Sequence, residues 1–273
     1  MLIKTLVSDL DDTLLSKDHI IEEYTVDMIQ KAREKGIQMI LASGRSPKSM
    51  EKYVIQLGLR LPYVGDNGAT IVDPLTQNKL HQLLFTPEQV GTCLQFAKEH
   101  QLYAQAYDED SFYYNVQGTD LEKEYTQATG LKGLYVKNLE EKWNAPSSKI
   151  LLVLEPERVP ALFQQAQDRY GKWLKVTTSK PYFLEFSPKQ ATKGKALQWL
   201  EAQGYIQRES AMVFGDSLND ESMLSWAKYP VAMENGREEV KKIAWKIAPP
   251  NSQQGVGQMI EKLLTDNKGE MFH

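Results

Sequence analysis

The stretch "LVSDLDDTLLSKD" (residues 6–18) places four acidic residues directly after an apolar run. Three of them, Asp9, Asp11 and Asp12, lie within four positions. The overlapping run "IKTLVSDL" (3–10) predicts a buried β-strand, so that Asp9 stands at or just beyond its carboxyl end. Ligands bind at this edge of an open parallel sheet. Residues two apart in extended backbone project to the same side, so Asp9 and Asp11 are predicted to face one site.

Strand and helix patterns alternate after this stretch. "EEYTVDMIQKAREKG" (22–36) predicts a helix, "IQMILAS" (37–43) the next strand, and "SPKSMEKYVIQLG" (46–58) the next helix. The alternation returns near the end of the chain, with a helix predicted over 193–204 and a strand over 210–216. A repeated β-α order predicts a parallel sheet covered by helices.

The middle of the chain has a different pattern, with strand-like runs that helical segments separate only in part. This mixture predicts an α+β domain inserted into the α/β domain. The predicted fold class is therefore α/β, with a Rossmann-like parallel-sheet core in two parts, residues 1–82 and 189–273, and an inserted domain at 83–188. The segment "DNGATIVDPLTQNKL" (66–80) predicts a hairpin on the way into the insertion.

Composition excludes several classes of protein. The chain has 273 residues, of which 41% are apolar and 25% charged, with a formal net charge of −4. These values predict a globular protein and give no sign of a nucleic-acid partner. The apolar runs are too short to cross a membrane, and the first residues do not form a signal-peptide pattern. Cys93 is the single cysteine, which excludes an intrachain disulfide. We therefore expect a cytoplasmic protein.

A second acidic stretch, "FGDSLND" (214–220), also follows an apolar strand. If the two strands are parallel neighbours, Asp216 and Asp220 meet Asp9 and Asp11 at one edge of the sheet. Two carboxylates about 4 Å apart repel by roughly 4 kcal/mol at an effective dielectric near 20, against a total stability of about 5–15 kcal/mol. Either some of the acids are protonated or a cation lies among them, and an all-oxygen donor set suits Mg²⁺.

Two further segments carry groups that suit a phosphate. "ASGRS" (42–46) offers the Ser43 hydroxyl and a Gly44 backbone that an anion can approach closely. "ATKGKAL" (191–197) opens a helix with Lys193, whose ammonium could neutralise a phosphate. Each signal is weak alone, because an Asp-x-Asp pair is usually a solvated turn or a cap and a lysine that opens a helix is usually exposed. Their combination favours a phosphate site.

In this order the four segments resemble the four motifs of the haloacid dehalogenase superfamily. The "ASGR" form, the sequence "DNGA" (66–69) and the long insertion resemble its Cof-type (subclass IIB) phosphatases, which carry an α+β cap of the C2 type. The motifs that carry the resemblance are "DLDDT" (9–13), "ASGR" (42–45), "TKGKAL" (192–197) and "GDSLND" (215–220).

One position departs from the superfamily pattern, because Asp12 stands where the family usually has glycine. Aspartate tolerates a positive φ better than most residues, so we expect the turn to survive.

The resemblance implies a Mg²⁺-dependent phosphatase that forms an aspartyl-phosphate. Asp9 would be the nucleophile, and Asp11 would protonate the leaving alcohol and later deprotonate the attacking water. Asp9, the backbone carbonyl of Asp11 and Asp216 would hold the metal.

The resemblance also implies further roles around the phosphate. Asp220 would orient Lys193 or metal-bound waters, while Arg45 would support the loops without touching the phosphate. The partner would be a small phosphorylated molecule such as a sugar phosphate, flavin mononucleotide or pyridoxal phosphate, whereas the oligomeric state is not indicated. The implied phosphate-binding positions are Leu10, Ser43, Gly44, Lys193 and Asn219.

Three alternatives stay open from the sequence. A phosphotransferase or mutase would use the same chemistry with a second hydroxyl in place of water. A signalling receiver would retain its phosphoryl group, and a phosphometabolite-binding module would bind its ligand without hydrolysing it.

Aromatic residues of the insertion are most simply explained by core packing, but those near "AYDEDSFYY" (106–114) could also contact the leaving group. The aromatic residues of the insertion include Tyr103, Tyr107, Phe112, Tyr113, Tyr114 and Tyr182.

Overall fold

The computed structural model describes residues 3–108, 111–178 and 180–266. The chain divides into two compact units. The first comprises the described residues up to Gly44, then Met50–Leu80, and those from Thr192 onward; the second comprises Arg45–Ser49 and His81–Ala191. The limits of the second unit lie two residues before and three residues after the insertion expected at 83–188.

The chain begins with alternating strands and helices that belong mostly to the first unit. The sequence did not indicate β3, which has only three residues. In chain order the elements are β1 (Thr5–Ser8), α1 (Glu23–Glu34), β2 (Gln38–Leu41), α2 (Pro47–Leu57), β3 (Tyr63–Gly65), β4 (Thr70–Val72) and β5 (Lys79–Gln82).

The second unit mixes strands and helices without strict alternation. Its elements are α3 (Pro87–Glu99), β6 (Tyr103–Tyr107), β7 (Ser111–Tyr114), α4 (Leu121–Thr129), β8 (Lys132–Tyr135), α5 (Leu139–Lys142), β9 (Ile150–Val153), α6 (Val159–Tyr170), β10 (Leu174–Thr177) and β11 (Phe183–Pro188).

The chain then returns to the first unit with the β-α pattern predicted for it. Within the described part of the chain, the helices are too short or too polar to span a membrane. The returning elements are α7 (Lys193–Ala202), β12 (Ala211–Gly215), α8 (Glu221–Trp226), β13 (Tyr229–Met233), α9 (Glu238–Lys241), β14 (Lys246–Ala248) and α10 (Gly255–Thr265).

The first unit is built on a parallel sheet with the strand order β14-β13-β12-β1-β2. β1 lies between β12 and β2, so that Ser8 pairs with Phe214 on one side and with Leu41 on the other. The crossover helices cover both faces of the sheet, and the central strands β1 and β12 are accordingly buried along their whole length. Leu6 packs in the core formed with α1, α2 and α10, whereas Val7 faces the core formed with α7 and α8.

The second unit is an α+β structure around a six-stranded sheet with the order β10-β11-β9-β6-β7-β8. Its strand pairs are antiparallel except for β7 with β8. Helices α3 and α6 pack on one face through a core that includes Phe96, Leu152 and Phe186. The two architectures confirm the predicted α/β fold with an inserted α+β domain. Strand β8 was missed because "KGLY" is a half-exposed edge strand that contains a glycine.

Close packing of α7 on α8 generates a test of the first unit. A Cβ atom on Gly194 would lie 2.2 Å from the carbonyl oxygen of Ser222. We expect Gly194→Ala to force the helices apart and to lower the free energy of unfolding by about 1–3 kcal/mol, measured by thermal or urea denaturation. Gly91→Ala in α3 is the matched control, because a Cβ there meets nothing within 4 Å and alanine favours the helix. Equal stability of both variants would contradict this packing.

Candidate active site

Asp9 and Asp216 stand at the carboxyl ends of two neighbouring parallel strands. Asp9 follows β1, Asp216 follows β12, and the N–H of Asp9 donates to the carbonyl of Phe214 at 3.1 Å. Both side chains are largely buried. The parallel pairing therefore brings together the two acidic stretches, as the sequence predicted.

Lys193 lies between two of these acids. Its Nζ donates to Asp9 Oδ1 at 2.7 Å and to Asp220 Oδ1 at 2.6 Å, and the lysine side chain is fully buried. Lys193 is the first residue of α7, which Thr192 caps by accepting the N–H of Lys195 at 3.1 Å. A lysine at the start of a helix is usually exposed, so its complete burial between carboxylates marks this position as part of the site.

Asp220 connects Lys193 to the loop that carries Asp216. While its Oδ1 accepts from Lys193, its Oδ2 accepts the backbone N–H groups of Asp216 at 2.9 Å and Ser217 at 3.1 Å. A Cβ on Gly215 would come within 2.6 Å of the Asp220 side chain, which explains the glycine in "GDSLND". Both oxygens of Asp220 thus have protein donors, and the residue orients its neighbours.

The acidic cluster has the composition of a Mg²⁺ site. Carboxylate oxygens of Asp9, Asp216 and Asp220 all lie within 4.8 Å of one another. Thr13 Oγ1 donates to Asp216 Oδ1 at 2.9 Å and fixes the plane of that carboxylate. Three carboxylates against the one ammonium of Lys193 leave negative charge in a buried, all-oxygen site, which fits a hard divalent cation. Because Asp220 is engaged with Lys193 and backbone N–H groups, Asp9 and Asp216 are the better ligands.

The pKa shifts of Asp9, Asp216 and Lys193 also indicate a site that needs a further positive charge. Burial raises the pKa of Asp9 well above its usual range despite the opposing effect of Lys193, and Asp220 and Asp216 raise it further. Burial, together with the charge of Asp220, raises the pKa of Asp216 to about 7. Burial lowers the pKa of Lys193, but Asp220 and Asp9 outweigh it, so that the net shift is upward. Lys193 therefore stays protonated, but its single positive charge does not balance the charge of the three carboxylates.

Asp11 and Asp12 occupy the turn after β1. The Asp11 side chain is 39% exposed, and its Oδ1 lies 3.6 Å from His19 Nδ1. Asp12 adopts φ +56° with an exposed side chain, which confirms that the turn survives without glycine. The Leu10 side chain is fully buried in the apolar core, so that only its main chain is suited to contact an anion.

Ser43 and Gly44 follow β2 at the same edge of the sheet. Ser43 is buried, its N–H donates to the carbonyl of Val64 at 2.9 Å, and its own carbonyl accepts the N–H of Asn67 at 3.0 Å. A Cβ on Gly44 would lie 3.1 Å from Asn67 Oδ1. The "ASG" loop is therefore packed against Asn67.

Residues 66–68 form an unusual turn beside this loop. Asp66, Asn67 and Gly68 have φ values of +52°, +55° and +101° in succession. The left-handed conformation costs most residues roughly 1–2 kcal/mol; aspartate and asparagine tolerate it better, though less well than glycine, and Asp66 and Asn67 are both buried. In the sequence, "DNGA" contributes to the family resemblance and to the hairpin predicted over 66–80, and it indicates no role for Asn67. The Asn-Gly pair, which is typical of positive-φ turns, was the available signal.

Asn219 is held on both sides of its amide, and Arg45 has a hydrogen bond within the second unit. Asn219 Nδ2 donates to Asn67 Oδ1 at 2.9 Å, and its Oδ1 accepts from Ser217 Oγ at 2.6 Å. Arg45 belongs to the second unit, where its Nη1 donates to the carbonyl of Ala128 at 2.9 Å. Direct contacts join Asp9, Lys193, Asp216 and Asp220, and Asn67 links Ser43, Gly44 and Asn219.

Comparison with known proteins identifies phosphatases and a hydrolase that are similar to this chain over nearly its whole length. Phosphatase YwpJ of Bacillus subtilis strain 168 is 26% identical and aligns over 96% of this chain and 100% of its own length. A second protein of that strain, 5-amino-6-(5-phospho-D-ribitylamino)uracil phosphatase YitU, is 27% identical over 94% of this chain and 96% of its own. The crystal structure of a haloacid dehalogenase-like hydrolase from Bacteroides thetaiotaomicron superposes with a TM-score of 0.86, at 26% identity over 96% of this chain and 99% of that one.

The family match extends over nearly the whole chain. Residues 6–260 match the haloacid dehalogenase-like hydrolases, a span that includes all four motifs. The resemblance inferred from those motifs is thereby confirmed, and the phosphatase relatives support an enzyme of that class. This chain belongs to the family of haloacid dehalogenase-like hydrolases.

Proposed function

We propose that this phosphatase hydrolyses small organic phosphate monoesters with Mg²⁺, by way of a phosphoryl group carried on Asp9. The observation that carries the proposal is the buried Lys193, paired with Asp9 at 2.7 Å and with Asp220 at 2.6 Å. This pairing holds one positive charge beside a nucleophilic carboxylate and leaves the cluster negative enough to retain a divalent cation. Such a site suits a phosphoryl group, whose oxygens need positive charge on more than one side.

Two displacements at phosphorus complete the reaction. First, a carboxylate oxygen of Asp9 bonds to phosphorus, the ester P–O bond breaks, and the leaving alcohol takes a proton from Asp11. Then a water oxygen bonds to phosphorus while Asp11 takes a proton from that water. The bond between phosphorus and Asp9 breaks, which releases inorganic phosphate and restores both aspartates.

The remaining site residues bind and orient in this proposal. Asp9, the carbonyl of Asp11 and Asp216 would hold Mg²⁺, which would neutralise phosphoryl charge. Asp220 would keep Lys193 directed at Asp9, because Lys193 donates a hydrogen bond to each of these two carboxylates. The groups proposed to bind phosphoryl oxygens are Lys193, the Ser43 hydroxyl, the Asn219 amide and the main chain of Leu10 and Gly44.

The organic part of the substrate is the open part of the proposal. Tyr107 is buried, and its hydroxyl donates to Gln105 and accepts from the hydroxyl of Tyr125, which favours a packing role. Tyr113 and Tyr114 are only partly buried and are the better candidates for contact with a leaving group. Because YitU is named for a ribitylamino-uracil phosphate, that compound belongs in the substrate panel beside sugar phosphates, flavin mononucleotide and pyridoxal phosphate.

The first experiment measures phosphate release from this panel with Mg²⁺, with EDTA, and with Asp9→Asn. We expect EDTA and Asp9→Asn each to abolish turnover, because the nucleophile and its neutralising cation are then missing. Asp12→Asn is the matched control, since it removes an exposed carboxylate three residues away and asparagine tolerates its positive φ. Turnover that survives in Asp9→Asn would rule out the proposed nucleophile.

The same experiment separates the alternatives. Phosphoryl transfer to an added alcohol in preference to water would identify a phosphotransferase or mutase. Stable phosphorylation of Asp9 without turnover would identify a receiver-like function. Phosphate binding with neither outcome would identify a binding module.

A second experiment tests Asp11 as the proton donor. Asp11→Asn should lower the kcat/KM of an alkyl phosphate, which reports the first displacement, by about 10²–10⁴-fold, because an alkoxide is a poor leaving group without a proton. The loss should be much smaller with p-nitrophenyl phosphate, whose leaving group departs readily as an anion. Equal losses with the two substrates would argue for a role of Asp11 other than proton transfer in the first step.

The raised pKa of Asp216 predicts how stability depends on pH without metal. Its pKa is about 7 in the folded protein and near 3.8 in an unstructured chain, so between these values the folded state binds the extra proton. This contribution to the free energy of unfolding is complete below about pH 4 and is lost as the pH rises through 7. The shift is equivalent to about 4 kcal/mol at most.

Thermal denaturation in EDTA between pH 4 and 8 measures this effect. The Tm of the wild type should fall relative to that of Asp216→Asn as the pH rises, and Mg²⁺ should restore it near pH 8. Asp12→Asn serves as the matched carboxylate control. A constant difference in Tm between wild type and Asp216→Asn would contradict the raised pKa.

A further inference from the structure

The strained turn at Asp66–Gly68 has no part in the reaction described so far. A strained backbone persists only where its surroundings hold it, and such positions cluster at functional sites. The turn also touches three of the segments proposed to bind phosphate, those of Ser43, Lys193 and Asn219. A Cβ on Gly68 would lie 2.2 Å from the carbonyl oxygen of Thr192, directly before Lys193, and the Asn67 N–H donates to the carbonyl of Ser43.

The Asn67 side chain forms the remaining links. Its Oδ1 accepts a hydrogen bond from Asn219 Nδ2 at 2.9 Å, and its amide lies against Gly44. Ser217 donates to the opposite end of the Asn219 amide at 2.6 Å. Together these two bonds direct the NH₂ end of the Asn219 amide towards Asn67 and the "ASG" loop and its oxygen towards Ser217. The second hydrogen on Nδ2 therefore has a fixed orientation.

We propose that Asn67 is a positioning residue of the phosphoryl site, which orients the Asn219 amide so that it donates to an anion beside Ser43 and Gly44. The inference rests on the proposed function only in taking that anion to be a phosphoryl group. Asn67 itself acts through Asn219.

The choice of residue at position 67 supports a role for the side chain. Glycine adopts φ +55° without strain and would satisfy the turn. Asparagine tolerates this conformation less well than glycine and adds a buried amide. What asparagine provides and glycine lacks is the acceptor for Asn219.

The substitution Asn67→Gly therefore separates folding from binding. The backbone of the turn is retained, so Tm should stay close to that of the wild type. Inorganic phosphate in the presence of Mg²⁺ is the probe, with its Kd measured by calorimetry and its inhibition constant measured against the best substrate. We expect phosphate to bind at least about tenfold more weakly, since a hydrogen bond to a charged group is misdirected. The KM should rise more than kcat falls.

Gln101→Gly is the matched control. Gln101 also has a positive φ, +56°, but it is exposed in the second unit at the end of α3. Its replacement by glycine should leave phosphate binding unchanged. Wild-type phosphate affinity in Asn67→Gly would overturn the proposal, as would failure of the wild type to bind phosphate at all.

A double-mutant cycle tests whether Asn67 acts through Asn219. The phosphate affinity of Asn67→Gly/Asn219→Ala should match that of Asn219→Ala alone, because the amide to be oriented is gone. Fully additive losses would overturn the positioning role. Intact phosphate binding in a wild type without Asp9-dependent hydrolysis would count against the proposed function and not against this inference.

Discussion

A buried ammonium group shared by two carboxylates is the interaction on which the rest of the site depends. Lys193 joins the end of β1, through Asp9, to the loop before α8, through Asp220. Loss of one member of a buried ion pair leaves uncompensated charge at a cost of about 3–5 kcal/mol, so each of the three residues requires the other two. The same interaction leaves the site with surplus negative charge, which either protonation of Asp216 or a bound cation would neutralise.

Close backbone packing makes this interaction possible. Gly194 lets α7 approach the first turn of α8, and Gly215 makes room for the Asp220 side chain. Both glycines lie beside residues of the charged cluster. The site is therefore held from two directions, by electrostatic attraction between side chains and by helices and loops that lie too close for a larger residue.

Much of this arrangement could be predicted from the sequence. The repeated β-α order indicates a parallel sheet, and if the two strands that end in acidic stretches are neighbours in it, Asp9 and Asp216 meet at one edge. The contacts of Lys193 were less predictable, because nothing local distinguishes a buried helix-opening lysine from an exposed one. Asn67 and Arg45 were harder still. Their partners, Asn219 and Ala128, lie far away in the sequence. The positive φ of Asn67 is only weakly predictable from its residue type.

The position of Lys193 also constrains how the inserted unit can change. The second unit ends at Ala191, and the buried lysine follows two residues later as the first residue of α7. One residue inserted between Lys193 and Gly194 would rotate the lysine by about 100° relative to the face that packs on α8. At the other junction the chain leaves the first unit near Leu80, within the largely exposed strand β5. A different insertion grafted onto this scaffold could therefore vary where it joins β5, but it must leave the helical register of α7 unchanged.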